Sequence, residues 1–362
     1  MTLSLEIIRR LDEMRDPAGV LSIYVDGDTP DRRARLVRTV CFAHKLRVLS
    51  AAVHDGGPAG GGRALVECIH RIQPRLRRLL DDDRSRGRAL FTALSRDDVR
   101  ELRVDMPLET GVALDETAYV RPLVVAFDEG RPAGVASLHS AGLQLFEWSM
   151  GRVDEVESLE LPRAERGDDD RRSRPVALVT ARRVDPNRDA LMRSLARRIA
   201  EVAETRSWRR MAVAGDPRLA WALRSRLDLP VAQLRAPAGR HDRGSARDLA
   251  AALARPLDLA QREYESALVA RAVERALVDQ TAVLGLPATL RALEGGWAGH
   301  LLFATDGDAS REAAAGAACG YGVDPTERLI ELALAGEADI TPLEGRPGEA
   351  LAHADGVAAL LR

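Results

Sequence analysis

The chain has 362 residues, 46% of them hydrophobic and 30% charged, with a formal net charge of −2 at pH 7. That length exceeds one ordinary core and points to two or three domains, and the balance is that of a globular protein rather than a disordered one. No run reaches the roughly 18 apolar residues of a membrane span, and Glu6, Asp12 and Glu13 near the start argue against a secretory leader.

In chain order, Leu3 to Met14 reads as a short amphipathic helix ended by Pro17 and Gly19. VLSIYVDG follows as a buried strand, with Val20, Leu21, Ile23, Tyr24 and Val25 in one run. Asp28 and Pro30 start a long helix through Val53. HDGGPAGGGR breaks it, and a second helix runs to about Leu80 with Arg75, Arg77 and Arg78 on it. RALFTAL and VRELRV are two strands around a turn at Arg96–Asp98. Residues 1–117 therefore form an α/β domain with an arginine-rich helical face.

Beyond Ala118 the pattern changes. VRPLVVAFD, PAGVASLHS and LQLFEWS are expected to be three strands of an antiparallel or mixed sheet. A charged stretch, PRAERGDDDRRSRP, comes next. Asp185 and Pro186 then open a helix whose stripe is Leu191, Leu195, Ile199 and Val202. RRMAVAGD is a buried strand, PRLAWALRSRL a helix, and Arg255–Gln280 a connecting helix. This segment, 118–258, is the second domain.

The third, 259–362, alternates helix and strand as an αβα sandwich: ATLRALEGG, HLLFAT, DPTERLIELALAG, ADITPL and finally DGVAALLR. In DPTERLIELALAG, Asp324 is expected as N-cap, Glu327 as the other half of a capping box and Gly336 as the stop. The apolar end, with Val357, Leu360 and Leu361, is expected to be an element of this core.

Charge divides along the same lines. Lys45 is the only lysine, so 52 of the 53 basic residues are arginine, a bias that weakens the meaning of any single arginine run. Residues 163–210 hold 14 arginines against eight acids, whereas 295–362 hold 11 acids against four arginines. Separate modules with different surroundings follow. Three cysteines, Cys41, Cys68 and Cys319, offer no even disulfide framework and suit a reducing cytoplasm.

Catalytic signatures are not found. The cluster Gly56, Gly57, Gly60, Gly61, Gly62 lacks the Lys and hydroxyl of a phosphate loop, and MAVAGDPRLA has one Gly where a dinucleotide fingerprint has three. Cys41 and His44 share a helix face but lack further metal ligands at matching spacing. No G-x-S-x-G occurs, and Asp81–Asp83 and Asp168–Asp170 are acid runs in polar loops. Catalytic residues, cofactors and metals are accordingly expected to be none.

Four stretches in order carry a family resemblance: RPLVVAFDEGRPAGVASLHSAGLQLFEW, RSWRRMAVAGDPRLAWAL, LPATLRALEGGWAGHLLFA, and ADITPLEG with HADGVAALLR. They resemble the middle and C-terminal domains of the archaeo-eukaryotic release factor and Pelota superfamily, in its bacterial branch, which includes the Pelota-like hibernation factor Balon. VLSIYVDGDTP resembles the bacterial members alone. The resemblance implies a middle domain like that of release factors and an L7Ae-like C-terminal domain. Release factors of this superfamily hydrolyse peptidyl-tRNA with a Gly-Gly-Gln loop. Its place here is taken by RAERGDDDRRSRPVALVTARRVDPNRD, and no Gly-Gly-Gln occurs anywhere in the chain.

The expectation is a non-catalytic, ribosome-associated factor of rescue or hibernation that occupies the A-site region. Arg163, Arg166, Arg171, Arg172, Arg174, Arg182 and Arg183 would pair with rRNA or tRNA phosphates, and Arg75, Arg77 and Arg78 would make a second contact. The acidic C-terminal domain would suit a translational GTPase. Two readings stand beside it: a hydrolase of peptidyl-tRNA or RNA using Asp168–Asp170 or His139, and a protein-binding scaffold that has lost the ribosome.

Overall fold

A computed structural model of the chain describes residues 3–27, 32–56, 61–81, 85–139, 142–160, 186–215, 217–233, 246–305, 319–321 and 325–362. It is a mixed α/β protein with three sheets. The contacts divide it into two compact units, one of Met1–Gly130 with Glu265–Arg362 and one of Arg131–Tyr264. Among the described residues no helix is long and apolar enough to cross a membrane.

In the first unit, helix α1 (Leu5–Asp12) leads into strand β1 (Arg15–Asp26). Helices α2 (Arg32–Gly56) and α3 (Gly61–Asp81) follow, then β2 (Gly87–Ala93), β3 (Val99–Val104) and β4 (Gly111–Thr117). β1 lies between β2 and β4 and pairs antiparallel with both. Leu21, Ile23 and Val25 on one face of β1 pack with Phe42, Leu49 and Val53 of α2 and Leu65, Ile72 and Leu76 of α3. On the opposite face the Ser22 hydroxyl accepts the Tyr119 amide at 3.0 Å, and the Tyr24 hydroxyl donates to the Tyr119 carbonyl. Burial on both faces explains why β1 is apolar without alternation. Gly19 sits at the register shift of β1 with φ +116, where a Cβ would lie 2.7 Å from Leu114; only glycine tolerates that backbone and that approach.

RPLVVAFDE is a helix, α4 (Arg121–Glu129), and not the strand expected from its apolar run. Pro122 stands in its first turn, where a missing N–H costs nothing. Its N-cap, Val120, has no capping side chain. The amides of Val120 and Arg121 instead donate to the carboxylate of Glu327, the second at 3.2 Å. The Arg121 guanidinium reaches the Thr305 carbonyl at 3.3 Å and lies 5.6 Å from the Phe303 ring centroid.

The last part of this unit contains the end of α7 (Ala246–Val278), β10 (Ala282–Leu284), α8 (Leu286–Glu294), β11 (Ala298–Ala304), β12 (Cys319–Tyr321), α9 (Pro325–Ala335), β13 (Asp339–Leu343), α10 (Arg346–Glu349) and β14 (Val357–Leu361). Its sheet runs β10-β14-β11-β13, with β13 parallel to β11 and in contact with α4. The apolar C-terminal run is thus a central strand, with Val357 to Leu360 buried between two neighbours. β12 leaves this sheet and pairs parallel with β4, Gly320 opposite Ala113, extending the first sheet to β12-β4-β1-β2-β3. Asp324, the expected N-cap of α9, lies outside the described residues. Glu327 caps α4, since the side chain that completes a cap can come from any nearby segment.

The second unit is a five-stranded sheet ordered β7-β6-β5-β8-β9. It comprises β5 (Ala133–His139), β6 (Gly142–Ser149), β7 (Arg152–Glu160), α5 (Pro186–Thr205), β8 (Met211–Gly215), α6 (Pro217–Arg224) and β9 (Val231–Gln233). β5, β6 and β7 form an antiparallel meander and β8 and β9 add in parallel, so the sheet is mixed. Leu195, Ile199 and Val202 of α5 are buried on it with Met192; Leu191 is only partly buried. Trp208 closes over Gly134, where a Cβ would lie 2.4 Å from the indole.

Replacing Glu327 with Ala strips two buried amides of their acceptor. A loss of about 2–4 kcal/mol of stability is expected, read by chemical denaturation. Glu327→Gln, which keeps one acceptor oxygen, is expected to lose less.

Candidate functional site

Arg163, Arg166, Arg171, Arg172, Arg174, Arg182 and Arg183, with Asp168–Asp170, lie outside the described residues. The elements that carry the segment are described, and they fix where it leaves and rejoins the second unit. It departs from the end of β7, an edge strand, and returns at the start of α5. β7 is rich in acids (Asp154, Glu155, Glu157, Glu160), a pattern that blunts an open sheet edge against pairing. Glu157 holds Arg198 of α5 through two oxygens at 2.9–3.1 Å, and Arg198 also reaches Glu201 at 3.0 Å. At the start of α5, Asp189 pairs with Arg193 at 3.1 Å and with Arg226. These pairs are half-exposed and each contributes little to stability. Their effect is positional: Arg193 and Arg198 of α5 are already paired with acids of the same unit.

The second predicted contact is partly dispersed. On α3, Leu65, Cys68, Ile72, Leu76 and Leu79 face the core, which turns the arginines outward and sideways. Arg75 lies 3.8 Å from Glu101 of β3, and Arg71 donates to the Ala93 carbonyl at 2.7 Å. Both therefore tie α3 to the β2–β3 hairpin. Arg78 folds back onto the Pro74 carbonyl at 3.4 Å, and Arg77 and Arg78 are exposed. Of the three, Arg77 and Arg78 face solvent while Arg75 is partly neutralised.

The thiols differ sharply. Cys41 is exposed on α2 and Cys68 is fully buried, its sulfur 3.7 Å from the Thr92 hydroxyl and 3.4 Å from the Arg71 guanidinium. Burial pushes the Cys68 thiol above its ordinary range despite that arginine, the opposite of what a nucleophile needs. The side chains of His139 and Cys319 lie outside the described set. Among the described residues no three His, Cys, Asp or Glu side chains cluster in a way that would hold a metal ion.

Sequence reasoning missed a joint between the early and late parts of the first unit. Glu327 caps α4, and Glu331, one turn further on α9, accepts the Thr117 hydroxyl at 2.5 Å and Arg328 at 2.9 Å. Both carboxylates are buried. Two of the 11 acids of the C-terminal region are therefore inside the protein, which thins the acidic surface expected there. The signal available in the sequence was the spacing of four, which puts both acids on one face of α9 beside Ile330 and Leu334.

Residues 119–262 match the model of the family described as bacterial archaeo-eukaryotic release factor family 10, and the resemblance read in the sequence holds over that span. No curated protein matches the chain. Among solved structures it is similar to the archaeal translation termination factor aRF1, at 16% identity over 100% of this chain and 99% of that one, TM-score 0.26. It is similar to Archaeoglobus fulgidus Pelota at 15% identity over 76% and 78%, TM-score 0.36. It is also similar to S. cerevisiae Dom34 at 10% identity over 77% and 74%, TM-score 0.39.

Thiol labelling of the folded protein, mapped by peptide mass spectrometry, checks the burial argument directly. Cys41 is expected to alkylate readily and Cys68 at least about a hundredfold more slowly until denaturant is added. Equal native labelling of the two would contradict the assignment of Cys68 to the core.

Proposed function

We propose, from the family 10 match over residues 119–262, that this chain is a non-catalytic, translation-associated factor that binds the ribosome near its A site, in rescue or hibernation. That match is the observation that carries the reading. The coarser part, a release-factor-like middle segment, stands on the match itself; the binding site and the physiological state are our inference. In release factors of this superfamily the segment between the meander and the first long helix of the middle domain carries Gly-Gly-Gln. This chain has arginines and aspartates there, with no Gly-Gly-Gln in its sequence. Paired glycines give such a loop its reach and the Gln side chain its hydrogen bonds, so the family's hydrolytic route has no counterpart.

Arginine from 163 to 183 is the group we assign to rRNA or tRNA phosphate, since a guanidinium binds phosphate oxygens two at a time. Arg77 and Arg78 are a second contact, with Arg75 the weaker member because of Glu101. The division into 1–117, 118–258 and 259–362, and the L7Ae-like character of the last domain, are kept as proposals. So is a translational GTPase as partner of the acidic C-terminal surface, now without Glu327 and Glu331. A cytoplasmic location follows from a ribosomal role.

Co-sedimentation with 70S ribosomes over a salt series tests the reading. Binding is expected to fall steeply with salt, with a slope that lessens by about one for each phosphate contact removed as arginines 171, 172, 174, 182 and 183 are neutralised. Absence of binding at low salt, to both empty and tRNA-filled ribosomes, would overturn it. Peptide release from peptidyl-tRNA by the purified protein would overturn the non-catalytic part.

A further inference from the structure

We propose that α1 is a proton-linked clasp: the Asp12 carboxyl takes up a proton when α1 seats on α4 and α9, so the seating tightens as pH falls and loosens as it rises. All three helices belong to the same compact unit. α1 is capped by Ser4, whose hydroxyl accepts the Ile7 amide at 3.4 Å, and it buries Ile8 and Leu11. Its contacts include α4 and α9, so α1 bears on the joint made by Glu327 and Glu331.

Asp12 ends that helix and is only 8% exposed. Its position is unfavourable for a charge on two counts. A carboxylate in the last turn of a helix meets the negative end of the helix dipole, and its Oδ1 is buried without a hydrogen-bond partner. The groups around it come from three elements. The turn after α1 brings Glu13, the first residue of β1 is Arg15, and α9 brings Glu331 and Arg328. α4 carries Arg121 and Asp128, both buried, and Glu129. Beside Asp12 is a cleft of about 400 Å³ lined also by Arg9, Arg15, Leu334 and Glu337. Among the described residues neither Arg15 nor Arg328 forms an ion pair with Asp12. Arg328 is taken by Glu331, whose own charge is held by that arginine and by Thr117. Glu331 repels a second negative charge at Asp12.

Burial first, and then Glu331, push the Asp12 carboxyl up from 3.8 to about 6. A carboxyl raised on docking holds a proton in the docked state that the free helix releases between those two values. Docking is strongest at the acid end of that interval and is progressively lost as pH rises through 6.

Hydrogen–deuterium exchange of the α1 amides in the full chain, corrected for the intrinsic pH dependence of exchange, reads the clasp. Protection is expected to fall about tenfold between about pH 5 and about pH 7.5, the ratio that carboxyl values of 3.8 and about 6 give. Asp12→Asn is neutral at every pH and is expected to keep its acid-side protection at pH 7.5. Glu331→Gln removes the repelling charge and is expected to move the wild-type transition to lower pH. The proposal is overturned if wild-type protection is flat across this range, if Asp12→Asn loosens as the wild type does, or if the transition is unmoved in Glu331→Gln.

Discussion

The amides at the start of α4 have no acceptor within their own helix, and the carboxylate that takes them belongs to a residue 207 positions further along the chain. A helix N-terminus is positive and open, and a buried carboxylate needs donors. Glu327 and α4 meet both needs at once. The consequence reaches well past two hydrogen bonds. α4 packs against β13, and Arg121 at its first position lies against Phe303 of the neighbouring strand. Without the cap, the helix that packs on the C-terminal sheet would begin with two buried amides lacking this acceptor.

Several buried arginines are used in a similar way, as structural connectors rather than surface charges. Arg88 is fully buried and donates to the Leu79 carbonyl at 2.6 Å and the Asp26 carbonyl at 3.2 Å; Arg38 donates to the Asp26 carbonyl at 2.6 Å and the Leu80 carbonyl at 3.0 Å. Two guanidinium groups thereby satisfy the carbonyl end of α3 and join it to the end of β1, a task suited to a planar group with five donors. In the second unit Arg198 joins α5 to the edge strand. An arginine count, in a chain with a single lysine, is therefore a poor measure of contact with nucleic acid.

Most of the local structure was legible because periodicity and burial agree. β2, β8 and β13 are short, largely apolar runs between turn residues, β1 carries a longer one, β3 alternates, and α5 shows its stripe at helical spacing. α4 was misread because VRPLVVAFD is a brief apolar run that periodicity alone cannot assign; Pro122 and a distant carboxylate decided it. β7 was missed since its apolar residues, Val153, Val156 and Leu159, alternate imperfectly, with Val156 at the bulge opposite Leu145 and Phe146. The sharing of one sheet between β4 and β12 has no local signature at all. For the site, sequence identified a charged segment and an arginine-rich helix. It could not foresee that Glu101 neutralises Arg75, because that pairing depends on how a hairpin packs against a helix.

The pairing of β12 with β4 bears on how the protein is made. A sheet that starts at residue 15 receives its last strand from residues 319–321, a very long-range contact that closes a large loop. Emerging from the ribosome in order, the chain presents β4 with an open edge for as long as the intervening residues take to be synthesised. Folding of the early and late parts is thus tied to synthesis of residues 319–321, while the second unit, built from contiguous sequence, has all its described strands in hand well before.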